Sequence, residues 1–189
     1  MVRKKRRLAA AAVPVLVVTG LVLAAIVAPS APGAANPVVH SATGAGHQDD
    51  VDVATGEVFN RTFSFSAVQY ADGTAKGNAQ IASRKFQQDG KELVVHMSID
   101  CLFVLPDGKT ARLSGVITRT SFPFLEAPVG VVHRFTVQDN GEPGAGVDKF
   151  SGVPPNPLTR ECDDADFGLP EPARVAPTRT VNRGNIQVR

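Results

Sequence analysis

The sequence predicts an all-β fold, an antiparallel meander that forms a small barrel or a curved sandwich and ends in a long irregular C-terminal segment. Apolar and polar residues alternate with period two from residue 57 onward, as expected for half-buried strands. The dipeptide Asp-Gly, a strong signal for a hairpin turn, begins at residues 72, 89 and 107. No stretch after residue 36 carries a helical stripe of apolar residues. Residues 57–189 are therefore predicted to form a single β domain.

The predicted strands follow one another as simple hairpins. The first begins at residue 57 and places phenylalanines on one face and serine and threonine on the other. The second, 74–86, has a face of small residues that allows the sheet to curve or close. The third, 91–105, has the longest apolar face, and two more strands cover 109–120 and 129–138. The residues predicted to point inward are Phe59, Phe63, Phe65, Ala67, Ala75, Gly77, Ala79, Ile81, Leu93, Val95, Met97, Ile99, Cys101, Phe103, Leu105, Ala111, Leu113, Gly115, Ile117, Val131, Phe135 and Val137.

Three segments flank or interrupt this pattern. Residues 36–56 are rich in Ala, Gly, Ser and Asp without periodicity, which predicts a flexible linker. Residues 151–180 contain six prolines, and because proline lacks an amide donor this stretch is predicted to be an extended loop. Residues 183–189 alternate again, which predicts a final strand paired with a sheet edge; a frayed tail is the alternative.

The N-terminus has the three-part order of a secretory signal. Residues 1–7 carry five basic side chains, residues 8–27 are uncharged and apolar, and residues 28–35 are mostly small. This order predicts a signal peptide over 1–35 with cleavage before Asn36. The alternative is an uncleaved anchor, since 20 apolar residues are long enough to span a bilayer. In either case residues 36–189 are expected outside the cytoplasm, secreted or held at the cell surface.

Charge is distributed unevenly along the chain. Five of its 20 Lys and Arg residues lie in the first seven positions, so residues 36–189 carry 15 basic and 18 acidic groups, a net charge of −3. Binding to phosphate backbones requires a concentrated basic surface. Nucleic acid is therefore not an expected partner, and a membrane is expected only through an uncleaved N-terminal segment.

The two cysteines are predicted to form a disulfide. Outside the cell a pair of cysteines is most simply a disulfide, and Cys101 and Cys162 stand 61 positions apart. The chain-entropy model assigns such a loop roughly 4 kcal/mol of stabilisation. The spacing is not CxxC and no His lies nearby, which disfavours a metal site or a reactive thiol pair.

One acidic, glycine-rich turn is the densest polar cluster in the sequence. Asp139, Asn140, Glu142 and Asp148 offer hard oxygen ligands, so a Ca²⁺ site is a candidate. Their spacing does not match an EF-hand loop. The alternative is a hairpin loop in which the Asp and Asn side chains cap their own backbone. Ca²⁺ is the only cofactor that the sequence raises.

The sequence predicts no catalytic residue. His96, Ser98 and Asp100 share a strand face, but successive side chains on one face lie about 7 Å apart, too far for the direct hydrogen bonds of a triad. His133 and Arg119 have inward parity on neighbouring strands. They are the candidates for an internal pocket if the barrel is hollow.

Residues 135–144, Phe-Thr-Val-Gln-Asp-Asn-Gly-Glu-Pro-Gly, resemble a motif of secreted actinobacterial β-rich proteins of unknown function with post-COAP-type domains. The resemblance extends to residues 63–67 and their following Asp-Gly turn, and to residues 184–188, Gly-Asn-Ile-Gln-Val. It covers about residues 55–189. It implies export and a β-rich module, and it brings no catalytic residues.

Two classes of function are compatible with these features. The first is a secreted or cell-surface, non-enzymatic β module that binds an extracellular ligand or a cell-surface partner, or that serves as a structural domain. The second is a small barrel enzyme, a hydrolase or isomerase, with an internal pocket near His133. The state of the barrel interior distinguishes them: an interior filled by Phe63, Phe65, Ile99 and Phe135 would argue against the enzyme.

Overall fold

A computed structural model describes residues 36–51, 56–88, 91–121, 128–142, 147–153, 162 and 179–189. The predicted signal peptide lies outside these residues, as does most of the proline-rich segment. The described part of the chain contains no helix long and apolar enough to cross a membrane.

The fold is all-β, as the sequence predicts, with eight antiparallel meander strands in one nearly closed barrel. The order of the strands in the sheet is β7-β6-β5-β4-β3-β2-β1-β8, so seven consecutive strands form a meander and the last pairs with the first. Their bounds are β1 Val38–Val51, β2 Val58–Tyr70, β3 Ala75–Gln88, β4 Lys91–Val104, β5 Thr110–Thr120, β6 Val132–Gln138, β7 Lys149–Val153 and β8 Arg183–Val188.

The turns follow from their Asp-Gly and Asn-Gly sequences. Gly73 and Gly108 both have positive φ, 83° and 66°, where a glycine avoids the steric cost that a side chain would add. The carboxylate of Asp72 accepts from the amide of Thr74 at 2.9 Å, and Asp107 accepts from the Thr110 amide at 2.8 Å. These side chains hold the hairpins β2–β3 and β4–β5 in register.

The barrel closes between β7 and the residues that lead into β8. The amide of Phe150 donates to the carbonyl of Arg179, and the amide of Val181 donates to the carbonyl of Asp148, both at 2.9 Å. Beyond this short bridge, two carboxylates accept hydrogen bonds from amides of β8 in place of backbone carbonyls. Asp148 accepts from the Ile186 amide at 2.6 Å and Asp139 accepts from the Val188 amide at 3.1 Å. The outer edge of β8 is thus joined to β6 and β7 by side chains.

Four phenylalanine rings fill the middle of the barrel. Phe63 stacks on Phe150 with ring centroids 4.3 Å apart, and Phe135 contacts both Phe150 and Phe65 at 5.3 Å. Ile99 is also buried. Pairs of aromatic rings at these distances add stabilisation beyond the burial of their area. The interior is therefore filled at the positions where a hollow barrel would have held its pocket.

The prediction of a flexible linker over 36–56 is wrong for most of its length, because β1 covers Val38–Val51. Its small residues are required by packing. A Cβ added to Gly44 would lie 2.8 Å from Cε1 of Phe65, and one added to Gly46 would lie 2.9 Å from Cζ of Phe63. Glycine at alternate positions therefore lets the two rings rest against the β1 backbone.

Two register shifts between β4 and β5 change which residues face the interior. Ile99 pairs with Gly115, but Cys101 pairs with Ser114, so Asp100 is an extra residue. Beyond this bulge Leu102 points inward and is fully buried. The prediction that Cys101, Phe103 and Leu105 continue the inner face is therefore wrong, because a bulge reverses side-chain parity.

The C-terminal segment departs from its prediction at its start and confirms the prediction at its end. Residues 151–153 were expected in an extended loop but belong to strand β7. The final strand is present as β8, and it pairs with β1 from Ala42 opposite Val188 to His47 opposite Arg183. Residues 154–161 and 163–178 lie outside the described part of the chain.

Candidate functional site

The two pocket candidates do not share a site. A second bulge makes Thr118 the extra residue, since Met97 pairs with Ile117 but His96 pairs with Arg119. Arg119 is thereby turned outward, and its guanidinium lies 2.8 Å from Nε2 of His96 on the exposed face of the sheet. The prediction that Arg119 has inward parity is wrong for this reason. His133 keeps its inward parity, on β6.

His133 instead lies in a group of polar side chains at one end of the barrel interior, which we call the polar end. This end is formed by the last residues of β1 and β3, the first residues of β2 and β6, and the segment before β8. It lies next to the phenylalanine rings, because Arg61 and Phe63 are successive inward residues of β2. The polar end consists of Gln48, Asp50, Arg61, Ser83, His133 and Arg179.

An ion-pair network anchors the polar end. Nη2 of Arg61 lies 3.0 Å from one oxygen of Asp50, and Arg179 contacts the other oxygen. The Asp50 side chain is 2% exposed and that of Arg61 is 19% exposed. Burial lowers the pKa of Arg61, yet a guanidinium stays charged in proteins. Two guanidinium groups therefore meet one carboxylate, which leaves one positive charge in excess among the described side chains of this end.

His133 is neutral in this environment. Its Nδ1 donates to the carbonyl of Arg134 at 3.0 Å, which leaves Nε2 as an acceptor in the neutral ring. Burial lowers the pKa of His133 to about 4; the hydrogen bond to the Arg134 carbonyl opposes this shift, and the neighbouring cations Arg61 and Arg134 add to it. A histidine with this pKa is uncharged at neutral pH.

Two buried side chains of the polar end have polar atoms without hydrogen-bond partners. Gln48 is 0% exposed, and neither its amide oxygen nor its amide nitrogen has a partner within the described structure. Ser83 is 4% exposed, and its hydroxyl has none there either. In register, Gln48 and Ser83 stand opposite Arg61 on its two sides, and Nε of Arg61 is likewise unpartnered there. Buried polar atoms are almost always hydrogen-bonded, so this group calls for an explanation.

Gly152 has room for a bonded methyl group beside this group. A Cβ added to Gly152 would lie 3.6 Å from Nη1 of Arg61, 3.7 Å from Cε1 of His133 and 3.8 Å from Cε1 of Phe150. These are ordinary van der Waals distances, so a methyl group fits without a clash. Elsewhere the barrel is tighter, since a Cβ on Gly115 would lie 2.1 Å from the carbonyl oxygen of Ser98.

The acidic turn uses its oxygens on backbone amides. Asp148 accepts from the Asn140 amide at 2.9 Å in addition to that of Ile186, and Asp139 accepts from Gly141 at 2.9 Å in addition to Val188. Within the described ranges no group of three or more His, Cys, Asp or Glu residues is placed to hold a metal ion. These contacts account for Asp139 and Asp148 without Ca²⁺, and they fit the alternative of self-capping side chains.

The other two members of the predicted Ca²⁺ site have separate surroundings. The Asn140 side chain donates to the carbonyl of Val147 at 2.8 Å. Glu142 is exposed and borders a shallow groove of about 190 Å³, together with Asn185, Gln187 and Arg189 of the β8 region. Asp139, Asn140 and Asp148 therefore shape the turn, and the two aspartates join it to β8.

The structure contains the predicted disulfide between Cys101 and Cys162, with a Cα–Cα distance of 5.9 Å. The bulge after Ile99 places Cys101 on the outer face of β4, opposite Ser114. The bond therefore ties residue 162 to the outside of the barrel. A structural disulfide is typical of proteins that work in an oxidising compartment.

Sequence reasoning missed every member of the polar end except His133. Gln48 and Asp50 lie in the predicted linker, residues 36–56. One signal in the sequence points to the polar end: Arg61 continues the alternation of Phe63 and Phe65, which predicts that the arginine side chain faces the interior. A buried arginine requires a partner, and its acidic partner Asp50 lies in strand β1, which the sequence does not predict.

Comparison with known proteins yields no relative from which a role could be transferred. No family model, no curated protein and no solved structure matches the chain. The polar end must therefore be interpreted from its own chemistry, and the resemblance to secreted actinobacterial modules stays a prediction.

Proposed function

We propose that this protein is a secreted, non-enzymatic β-barrel module that binds a small ligand at its polar end. The observation that carries the proposal is the pair of buried side chains, Gln48 and Ser83, whose polar atoms have no partner within the described structure. An unpartnered buried polar group costs about 1–3 kcal/mol. A bound molecule that supplies a donor and an acceptor would remove that cost.

The packing of the remaining interior supports a single internal site. Phe63, Phe65, Ile99 and Phe135 are all buried, which is the arrangement expected if the barrel is not a hollow enzyme. Two members of the polar end reach the surface, because the Arg61 side chain keeps 19% of its surface exposed and His133 is partly exposed. The unpartnered atoms of Gln48 and Ser83 are buried behind them, so a ligand would have to enter past these two side chains.

Two features favour binding over catalysis. A general acid or base works best with a pKa near the operating pH, whereas burial lowers the pKa of His133 to about 4. Arg119, the other residue of the enzyme hypothesis, lies on the outer face beside His96. The N-terminal signal features and the disulfide favour action outside the cytoplasm.

The substitution Gln48→Leu tests whether the polar end is maintained for a ligand. We expect the ligand-free variant to be more stable than the wild type by about 1–2 kcal/mol, because an unpartnered amide is replaced by an apolar group of similar size. The matched control is Gln80→Leu on the exposed outer face of β3, which should change stability by less than about 0.5 kcal/mol. Denaturant unfolding measures both.

Binding is measured on the same two variants. Mixtures of small polyols, amino acids, amides and carboxylates are added to ¹⁵N-labelled protein, and amide shifts are followed at Gln48, Ser83 and Gly152. We expect at least one compound to shift these signals in the wild type and in Gln80→Leu but not in Gln48→Leu. A less stable Gln48→Leu, or a screen in which no compound moves the three amides, contradicts the proposal.

A further inference from the structure

We infer that the outer face of β5, β6 and β7 binds the chain's own acidic segment, residues 161–166, and that Arg112 and Arg134 recognise its carboxylates. This face lies outside the barrel, whereas the polar end lies inside it, so the inference goes beyond the proposed function. It follows from the burial of side chains that point away from the barrel, from their charge, and from the position of Cys162.

Six polar side chains on the outer face of β5, β6 and β7 are buried. They alternate with the inward residues Leu113, Phe135 and Phe150, and each is at most 6% exposed. On β2, by contrast, the outward Ser64 and Ser66 are exposed, as expected where an antiparallel sheet faces water. We call the six residues the covered face: Thr110, Arg112, Ser114, Arg134, Thr136 and Ser151.

The described strands do not account for this burial. All eight belong to one sheet, so no second sheet or helix among the described residues lies over the covered face. Cys162 does lie at this face, because it is bonded to Cys101, which stands opposite Ser114. Cys162 is itself 1% exposed although it lies outside the barrel. The chain next to Cys162 is therefore in position to cover the face.

The chain between β7 and Cys162 is long enough to cross the covered face. Strand β7 ends at Val153, which stands opposite Arg134, whereas Cys162 is held at β4. Three strand spacings, about 14 Å in all, separate β7 from β4, and the nine residues from Val153 to Cys162 reach about 30 Å when extended. Arg134 is two spacings from Cys101, about 10 Å, which two or three residues beyond Cys162 can span.

Charge favours the acidic segment as the occupant. The covered face contains two arginines and no carboxylate among its six residues. A buried guanidinium requires a negative counter-charge, because removing an unpaired charge from water is costly. Residues 161–166, Glu-Cys-Asp-Asp-Ala-Asp, carry four carboxylates and no basic side chain. Arginine binds a carboxylate through two parallel hydrogen bonds, so Arg112 and Arg134 can each hold one of the four.

Arginine labelling tests whether the face is covered. The oxidised full chain is treated with phenylglyoxal, which modifies accessible guanidinium groups, and the modified residues are identified by mass spectrometry. Arg112 and Arg134 should react at least about tenfold more slowly than the exposed Arg183, because their modification requires local opening. Equal rates at the three arginines overturn the inference. Protection that is lost when the protein is diluted would mean that a second copy covers the face, and overturns it as well.

A neutralised variant identifies the occupant. It should raise the labelling rates of Arg112 and Arg134 at least about tenfold, since a buried arginine that loses its counter-charge favours opening. The rate at Arg183 should not change, and the control Glu142→Gln on the exposed acidic turn should leave all three rates unchanged. Unaltered protection of Arg112 and Arg134 overturns the inference. The neutralised variant carries Glu161→Gln, Asp163→Asn, Asp164→Asn and Asp166→Asn.

A double-mutant cycle separates pairing from a general loss of stability. Arg134→Gln and the neutralised variant should each raise the unfolding equilibrium constant at least about tenfold, because each leaves buried charges without partners. Their combination should raise it little further, since both changes remove the same interaction. Denaturant unfolding of the four proteins measures the constants. Effects that multiply independently would show that Arg134 and the acidic segment do not interact, and would overturn the inference.

Discussion

The middle and the polar end of the barrel are built from the same strands but differ in the kind of side chain that fills them. In the middle, four phenylalanine rings interlock and the strands supply glycine where the rings approach the backbone. At the polar end, one or two residues further along the same strands, an arginine network meets polar side chains that lack partners within the described structure. In the middle, the size of the side chains determines which residues fit. At the polar end, their charge and hydrogen bonding do.

This difference suggests a division of roles along the barrel axis. A filled apolar region gains stability from every contact and tolerates little change in size. The polar end gains little from its buried polar groups and is expected to carry recognition. Substitutions of similar chemical size should therefore have opposite consequences in the two regions.

The largest effect is expected in the middle. Phe135→Ala removes a fully buried ring that contacts Phe65 and Phe150, and should lower the free energy of unfolding by about 4 kcal/mol. The control Val58→Ala alters a side chain that is 63% exposed and should cost less than about 0.5 kcal/mol. Chemical denaturation of both variants tests this. A loss below about 1 kcal/mol for Phe135→Ala would mean that the ring stack does not determine stability.

The next effect is a pH dependence at the polar end. The pKa of His133 is about 4 in the folded protein against an ordinary value of 6.5, so the unfolded chain binds the proton more tightly. This contribution to stability is present above pH 6.5 and is lost as the pH falls toward 4, by about 3 kcal/mol. His133→Gln should remove that part of the pH dependence. His40→Gln, at an exposed position of β1, should retain it.

Unfolding curves at several pH values between 4 and 7.5 measure the difference between each variant and the wild type. The comparison of slopes cancels the carboxylates that titrate in all three proteins. Parallel pH profiles for the wild type and His133→Gln would contradict burial of a neutral histidine at this end.

A smaller effect separates two glycines. Gly115→Ala should destabilise the protein by about 2 kcal/mol, because its Cβ would lie 2.1 Å from the carbonyl oxygen of Ser98. Gly152→Ala should be neutral, or more stable by about 0.5 kcal/mol, because its Cβ meets only ordinary contacts and alanine restricts the unfolded chain. Equal losses of stability in the two variants would show that Gly152 has no room for a methyl group beside Arg61.

Most of the architecture could be predicted from the sequence because period-two alternation and Asp-Gly turns are local signals. The inward positions of Phe63, Phe65 and Phe135 follow from counting alternate residues, and the disulfide follows from a single cysteine pair. Strand β1 is not predicted, because its glycine-rich sequence resembles a linker when it is considered alone. Their role appears only beside Phe63 and Phe65, which lie in another strand.

The candidate site was less predictable for a related reason. Each β-bulge reverses the parity of every later residue in its strand, so Arg119 was assigned to the interior and lies outside. A bulge has no reliable mark in a single sequence. The polar end also depends on four separate strands and a segment near the C-terminus, so its members stand far apart in the chain and share no motif.

The pairing of β8 with β1 affects the order in which the protein can fold during synthesis. Strand β1 precedes the other described strands in the chain, but one of its two neighbours, β8, comes after all of them. Until β8 is synthesised, the backbone groups on that side of β1 remain open to pairing with other chains, a known route to aggregation. Closure through contacts between the two ends of the chain is also slow, since long loops must be ordered first. A nascent chain that lacks β8 and the carboxylate contacts of Asp139 and Asp148 should therefore depend on chaperones until β8 has been synthesised.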